Sequence, residues 1–451
     1  MLFSFIFLKK YDILKMVIKM LKRKILNDLI NWKNNPKKKP LLITGARQVG
    51  KTFIIEKFAQ ENYKNVISIN FIEREDLVDI FDTNLSAENF YKRLSIEFDN
   101  MNLIEGETLI FLDEVQVCPK AITALKFLCI YGKYDIIVSG SLLGITYKRV
   151  SSFPVGYIDR MEMNSLDFEE FLWANGMNEN AINYLKEFYD KREQVPEGIH
   201  KKMMDLFKEY IILGGMPEVI EEFVESKNFS NAFKIQKRII DDYKDDILKY
   251  SDENEKVRIR ATFDSIPKHL AQDYKKFRYN LIDKNGKAIR YNDSLIWLYD
   301  AGIINFCYNL KIPELPFEGN AKNDIFKVYM KDTGLLMAMM EEGSQKEVFE
   351  GNLGIYKGAI YENIIADILG KKGKKLYYFE HNSTLEIDFF IKFDNLVTAL
   401  EVKSGDNTKS KSLNSVMKNY NVKQGIRLST KNIGYNDNGI LSLPLYMAMF
   451  L

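Results

Sequence analysis

Two groups of residues in this chain have the types and spacing for chemistry on phosphates. The first is Gly45-Ala46-Arg47-Gln48-Val49-Gly50-Lys51-Thr52, which reads G-x-x-x-x-G-K-T. Its glycines let backbone N–H groups turn inward around an anion, at the positive end of a following helix. Lys51 would reach the β- and γ-phosphates of ATP, and the Thr52 hydroxyl would hold Mg2+. A plain glycine-rich turn would carry the same letters. The flanks argue against it, because a strand-like KPLLIT precedes the loop and a helical FIIEKFAQ follows. Downstream, LIFLDE (109–114) is a buried strand ending in two acids. Asp113 can ligate Mg2+ through water, and Glu114 is placed to orient a water for attack on the γ-phosphate. Two adjacent acids at the end of a buried strand are costly unless a cation meets them. A third strand ends in Ser139-Gly140-Ser141, where Ser139 could sense the γ-phosphate or simply begin a turn. Arg149 and Arg160 are candidates for an arginine finger, although most arginines are surface charges.

The second group is acidic. Glu401-Val402-Lys403 follows the apolar VTAL (397–400), so the acid and the lysine face the same side of one strand. Asp388, in EIDFFI, lies one hairpin length earlier. Glu362 sits in the helical run YKGAIYENIIADIL, and its neighbours one turn away are Gly358, Ala359, Ile365 and Ala366. A glutamate on an apolar helix face is unusual without a partner. Glu362, Asp388, Glu401 and Lys403 together fit the PD-(D/E)XK nuclease arrangement, with Ile387 where proline is usual. Asp388 and Glu401 would bind Mg2+, which activates water, while Lys403 positions the nucleophile. A strand pair with ordinary salt bridges is the alternative, and an intact fold can bind without cutting.

Certain elements must position these groups. Ile25, Leu26, Leu29 and Ile30 recur at helical spacing until Asn34-Asn35-Pro36. Short apolar runs at 39–45, 65–71, 108–114 and 134–141 then alternate with amphipathic stretches, the pattern of a parallel sheet covered on both faces. SLDFEEFLWAN (165–175) reads as a helix ending at Gly176. Residues 177–250 are mostly helical, broken by ILGGMPE (212–218). SLIWLYDAGIINFCYNL (294–310) reads as helix, Gly302 break and strand, as in a winged helix. After about residue 345 the order becomes helix, strand, strand, helix, strand.

Composition excludes several classes. Over 451 residues, 64 Lys+Arg balance 62 Asp+Glu for a net charge of +2, so no overall basicity points to nucleic acid. A 46% hydrophobic and 28% charged chain is globular rather than disordered. Cys118, Cys129 and Cys307 lie far apart with no C-x-x-C, and His200, His269 and His381 are the only histidines. A disulfide framework and a structural zinc site are therefore unexpected, and a cytoplasmic protein is expected. Residues 1–40 carry a net +9, so the rest carries −7. The apolar MLFSFIFL stops at Lys9-Lys10 and is too short to cross a bilayer, so no transmembrane segment is expected. It reads either as a basic amphipathic contact for membranes or phosphates, or as a leader upstream of a start at Met16 or Met20.

ITGARQVGKT, FLDEVQ, SGSLL and SLDFEEFLWA followed by LGGMPE resemble the bacterial and archaeal AAA-superfamily ATP-binding proteins with a C-terminal domain of unknown function. The similarity continues through IPKHLAQDYKKFRY (266–279), LIWLYDAGII (295–304) and FKVYMKDTGLL (326–336). It implies an α/β architecture with a P-loop, AAA-like parallel sheet, a helical and winged-helix middle, and a C-terminal domain related to restriction endonucleases. Many relatives have an arginine after the glycine matching Gly156, where this chain has Tyr157.

The expected organisation is a leader (1–19), an AAA-type ATPase domain (20–180), a helical and winged-helix-like region (181–340) and a nuclease-like domain (341–451). The expected function is Mg2+-dependent ATP hydrolysis coupled to DNA or RNA. Lys371, Lys372, Lys374 and Lys375, with Lys409 and Lys411, are candidate phosphate contacts, or solvated turns. Lys275, Lys276 and Arg278 alternate with Tyr274, Phe277 and Tyr279, as suits nucleic acid or a half-buried strand. The alternative function is an ATP-dependent switch acting on a protein partner, with a non-cleaving C-terminal module; a protein partner or a homo-oligomer is expected. A small-molecule kinase is a third reading, without a legible acceptor pocket.

Overall fold

The computed structural model describes residues 21–81, 85–98, 103–140, 153–250, 253–272, 275–340, 343–350, 356–382, 384–403, 410–436 and 439–451. The leader, Ser141, Arg149, Tyr274 and Lys409 lie outside them.

Among the described residues the strands form two sheets. The first contains β1 (Leu41–Thr44), β2 (Asn65–Asn70), β3 (Thr108–Asp113), β4 (Asp135–Ser139) and β5 (Asp159–Glu162), in the order β2-β3-β4-β1-β5. All four pairings are parallel. Alternation along the strands sorts their side chains onto two faces. Leu42, Ile110, Leu112, Ile136 and Val138 enter one core with helices α3 (Ala87–Glu97) and α4 (Pro119–Tyr131). Leu41, Ile43, Leu109, Phe111 and Ile137 enter a second core, which takes in α1 (Ile25–Asn34) and α2 (Lys51–Asn62). This second core runs without a break into the rest of the chain.

The middle region is helical, as its periodicity predicts. It comprises α5 (Phe168–Ala174), α6 (Glu179–Lys191), α7 (Glu197–Leu213), α8 (Pro217–Ser226), α9 (Phe229–Tyr250), α10 (Glu253–Asp264), α11 (Ile266–Leu270) and α12 (Ala288–Asp300). Asp167 and Glu170 form a capping box at the start of α5. Glu170 also accepts from Arg23 Nε at 3.2 Å, and Arg23 in turn donates to the Val49 carbonyl at 3.0 Å.

After Gly302 the chain forms β6 (Ile304–Leu310), α13 (Phe317–Asn320), β7 (Ala321–Met330), α14 (Thr333–Met339), α15 (Ser344–Glu350) and α16 (Tyr356–Lys371). β8 (Leu376–His381), β9 (Leu385–Phe393), β10 (Leu396–Val402), α17 (Lys411–Asn419), β11 (Gln424–Ser429), β12 (Gly434–Tyr435) and β13 (Leu441–Pro444) follow. The second sheet has the order β12-β13-β11-β10-β9-β8-β6-β7. Two features go beyond the sequence reading. β8 precedes the expected strand pair, and the hairpin β6–β7, before residue 340, joins the same sheet through the parallel β6–β8 pairing.

Helix α16 is buried on nearly every side from Ala359 to Leu369. It therefore lies between the second sheet and the helical region. No described helix is long and apolar enough to cross a membrane.

Candidate phosphate-binding and carboxylate sites

The loop from Gly45 to Thr52 connects β1 to α2, at the carboxyl end of the sheet. Its glycines are required by geometry. Gly45 has φ +152°, and a Cβ there would lie 2.1 Å from the Met163 carbonyl oxygen. Gly50 has φ +89°, and Gln48 also takes a positive φ of 64°. Lys51 Nζ donates to the loop's own carbonyls, Gly45 at 3.0 Å and Ala46 at 2.8 Å. Burial draws its pKa down to about 8, although Glu114 and Asp113 pull the other way.

The strand register brings the remaining residues together. Thr52 Oγ1 donates to Asp113 Oδ2 at 2.6 Å, and Ser139 Oγ donates to Asp113 Oδ1. Asp113 is 2% exposed, so both carboxylate oxygens are held where a cation would find hard ligands. Glu114 has φ +54°, which turns its side chain out of the strand's alternation, and Gln116 Nε2 donates to its carboxylate. Thus Gly45, Lys51, Thr52, Asp113, Glu114 and Ser139 lie together at this end of the sheet. Arg160 does not join them. It is exposed on the edge strand β5, with its guanidinium 4.6 Å from the Phe153 ring centroid.

The other loop residues face the helical region. Arg47 pairs with Asp246, Gln48 Nε2 donates to Asp242 Oδ2 at 2.7 Å, and Tyr243 donates to the Arg47 carbonyl at 3.1 Å. All three partners lie on α9. Ala46 lies against Gly302, where an added Cβ would stand 3.1 Å from the Ala46 nitrogen. Val49 is held by Arg23. Sequence reasoning missed these contacts. The signal was present in Asp242 and Asp246, which share a helix face at i, i+4 spacing.

The carboxylates form a second cluster, about α16 and β9–β10. In the antiparallel register Leu400 faces Phe389, so the next step sets Glu401 opposite Asp388. The Val402 N–H donates to Asp388 Oδ2 at 2.7 Å. Glu401 is 3% exposed; Lys403 Nζ lies 2.8 Å from its Oε1, and its Oε2 is buried with no hydrogen-bond partner. Glu362 pairs with Lys275, accepts from the Tyr329 hydroxyl at 3.1 Å, and lies 3.8 Å from Lys327 Nζ. Burial opposes ionisation of Glu362, but Lys275 and Lys327 hold it below the usual carboxylate range. Asp388 goes the other way, raised to about 7 by burial and then by the Glu362 charge. Environments that push two neighbouring acids apart are common where one must hold a proton and the other a charge. Burial pulls Lys327 down, yet Glu362, Glu386 and Asp388 together raise it above its usual value.

Two basic stretches serve the fold. Lys275 turns inward to Glu362, and Phe277 stacks on His269 with centroids 4.1 Å apart. Lys371, 5% exposed at its side chain, lies 2.9 Å from Asp367 Oδ1 and donates to the Leu166 carbonyl and the Tyr210 hydroxyl, both at 3.0 Å. Lys372 donates to the Met449 carbonyl at 2.7 Å, and Lys375 pairs with Glu318 at 2.6 Å.

Residues 37–172 match the family described as AAA domain. Residues 204–346 match a domain of unknown function, DUF8612, and 357–446 match a second, DUF4143. No curated protein matches the chain. Among solved structures, it is similar to the Walker-type ATPase of Pyrococcus abyssi, at 17% identity and a TM-score of 0.43, over 71% of this chain and 96% of that one. It is also similar to the Aeropyrum pernix Orc1 protein solved in complex with DNA, at 13% identity and a TM-score of 0.29, over 71% and 91% of the two chains. The chain therefore carries an N-terminal AAA domain followed by two domains of unknown function.

Proposed function

We propose that this AAA-domain protein is a Mg2+-dependent ATPase whose nucleotide cycle is coupled to a nuclease-like domain acting on DNA or RNA. The observation that carries the first half is the chain Thr52–Asp113–Ser139, closed beside the loop that ends in Lys51.

On this reading the phosphates bind in the cradle from Gly45 to Thr52. Lys51 leaves the Gly45 and Ala46 carbonyls, which it now occupies, and moves onto phosphate oxygens. Anionic phosphates favour its charged form, reversing the effect of burial. Thr52 and Asp113 offer the hard oxygen donors that Mg2+ requires, and Ser139 keeps the Asp113 carboxylate in place. Mg2+ held by Thr52 and Asp113 would supply charge neutralisation for the phosphates. Glu114, oriented by Gln116, accepts the proton of the attacking water.

The second half rests on Asp388 and Glu401 facing one another across β9–β10, beside Lys403. The buried, unpartnered Glu401 Oε2 fits a cation ligand, since an orphaned buried oxygen is otherwise costly. Asp388 and Glu401 would hold Mg2+, and Lys403 would position the nucleophile. The hairpin β6–β7 following α12, the expected winged-helix-like element, extends the sheet of this domain through the β6–β8 pairing.

Two observations favour the switch reading. Lys275 and Lys327 already neutralise Glu362, and Arg47 of the loop is tied to Asp246 of α9. An ATP-driven movement passed through α9 to a non-cleaving C-terminal domain would use the same contacts, with a protein as target.

The discriminating experiment incubates purified protein with supercoiled plasmid, or with an RNA of similar length, in Mg2+ or Mn2+, with and without ATP. Cleavage by wild type that disappears in Asp388→Ala supports the nuclease. ATP turnover without cleavage under any condition removes that half and leaves the switch.

A further inference from the structure

Helix α16 brings one acid, Glu362, to the carboxylate cluster, and both oxygens of that acid are already taken. Its Oε1 pairs with Lys275; its Oε2 accepts from the Tyr329 hydroxyl at 3.1 Å and lies 3.8 Å from Lys327 Nζ. Lys327, 1% exposed at its side chain, pairs in turn with Glu386 Oε1 at 2.5 Å. Both lysines come from the 204–346 domain, whereas Glu362, Glu386, Asp388 and Glu401 belong to 357–446. The cations that meet these acids are therefore supplied by the preceding domain.

The oxygens left over lie elsewhere. Asp388 gives its Oδ2 to the Val402 N–H at 2.7 Å, which leaves Oδ1. Glu401 gives its Oε1 to Lys403 at 2.8 Å, and its Oε2 is buried with no partner. Among the described residues no three His, Cys, Asp or Glu side chains stand where they could hold a metal together, so Glu362 does not join Asp388 and Glu401 as a third ligand. Charge gives the same answer. Lys275 and Lys327 face Glu362, Glu386 and Asp388, and Lys403 faces Glu401, so one negative charge remains. One divalent ion more than balances it. A second would add two further positive charges beside ammoniums that are already buried, which is costly without new anions.

We infer that the carboxylate site holds a single divalent cation, on Asp388 Oδ1 and Glu401 Oε2. Lys275 and Lys327 are positioning residues that supply the positive charge a second metal would bring, and Glu362 is their counter-ion rather than a ligand. An ammonium is a compact point charge, and here two of them are fixed by burial and by Glu362 and Glu386. This inference rests on the reading that Asp388 and Glu401 bind Mg2+, and it sets the number of ions at that site.

The test counts Mn2+ bound to full-length protein, stripped with EDTA and free of nucleotide and nucleic acid, from the electron paramagnetic resonance signal of the unbound ion. It is run at pH 8, where Asp388 is ionised. Ions that persist in Asp388→Asn belong to other sites, Thr52–Asp113 among them, and are subtracted. The expected result is one Asp388-dependent ion in wild type. Glu362→Gln should raise its Kd about tenfold or more, because Lys275 and Lys327 are left uncompensated beside a divalent ion. Adding Lys275→Met removes that excess charge, so Lys275→Met/Glu362→Gln should return to within about threefold of wild type. A residue needed only for folding gives no such recovery, and circular dichroism reports whether each variant folds. Two Asp388-dependent ions in wild type, a count that needs no variant, overturn the inference and leave the nuclease reading in place. So does unchanged binding in Glu362→Gln, or a folded double variant that binds as weakly as Glu362→Gln, the mark of a lost ligand. No Asp388-dependent ion in wild type removes the cation site, and with it both the inference and the nuclease reading.

Discussion

Replacing Lys371 by methionine should destabilise the protein in a pH-dependent way that can be calculated in advance. Lys371 closes a polar lock in which α16 meets both the AAA domain and the helical region. Its ammonium touches Asp367, the Leu166 carbonyl and the Tyr210 hydroxyl. Asp367 is fully buried, and Asp332, itself 5% exposed, lies 3.9 Å from the same nitrogen. Methionine fills the space but leaves the carboxylates facing each other. Breaking a buried pair in this way costs about 3–5 kcal/mol. With an unfolding entropy of about 2.1 cal/mol/K per residue, a 451-residue chain unfolding as one unit loses about 3–5 °C in Tm.

The pH dependence follows from Asp367. Burial raises its pKa to about 7, and Lys371 is the group that opposes this most. A carboxyl whose folded pKa lies above its unfolded value stabilises below the unfolded pKa, and that stability is lost as pH rises through the folded one. Without Lys371 the folded value moves higher still, so the deficit of the variant must grow with pH. Between pH 8.5 and pH 6, protonation can return up to about 3.4 kcal/mol to the variant but about 1.4 kcal/mol to wild type, so the deficit can shrink by up to about 2 kcal/mol, at 1.36 kcal/mol per unit. Thermal unfolding followed by circular dichroism at both pH values is sufficient. The double variant Lys371→Met/Asp367→Asn should regain at least half of the loss at pH 8.5. A deficit under 1 °C at pH 8.5, or one equal at the two pH values, would refute the reasoning.

Further outcomes follow from the same contacts. Lys51→Ala should lower ATP turnover at least a hundredfold, measured by phosphate release, with Tm within about 2 °C of wild type. Glu114→Gln should slow hydrolysis by about 10²-fold or more while nucleotide affinity, read by a fluorescent ATP analogue, stays within threefold. Gly302→Val should weaken nucleotide binding about tenfold, because its φ of +75° and the 3.1 Å approach to Ala46 nitrogen force the loop to move. Asn363→Leu should cost about 2–3 kcal/mol in denaturant unfolding, since its amide meets both the N–H and the carbonyl of Met330.

Much of the loop site was legible because its chemistry is local. Gly45, Gly50 and Lys51 sit within one turn of chain, and the strand ending in Asp113-Glu114 declares itself by four apolar residues. Glu362 was legible as an acid on an apolar helix face, and Asp388 with Glu401 by hairpin spacing. Its partners were not. Lys275 and Lys327 reach it from 87 and 35 positions away, through sheet and helix packing that no periodicity encodes. The same holds for Asn363, Asp367 and Lys371. Their i, i+4, i+8 spacing marks a polar stripe on a buried helix, but only the fold reveals that the stripe meets Met330, Thr333 and Leu166. The lysines after α16 illustrate the opposite error. As a run they suggest a phosphate-binding loop, yet Lys371 is buried and Lys375 is paired. Strand β8 escaped the expected order because LYYFEH follows directly on a lysine- and glycine-rich turn.

The most direct test of the account is a nucleotide-trapping measurement on Glu114→Gln beside wild type and Lys51→Ala. Each protein is mixed with radiolabelled ATP and Mg2+, passed over a desalting column, and its bound nucleotide is identified. The account predicts bound ATP in Glu114→Gln, ADP or free protein in wild type, and no nucleotide in Lys51→Ala. ATP hydrolysed by Lys51→Ala as fast as by wild type would place the chemistry elsewhere in the chain and contradict the central claim.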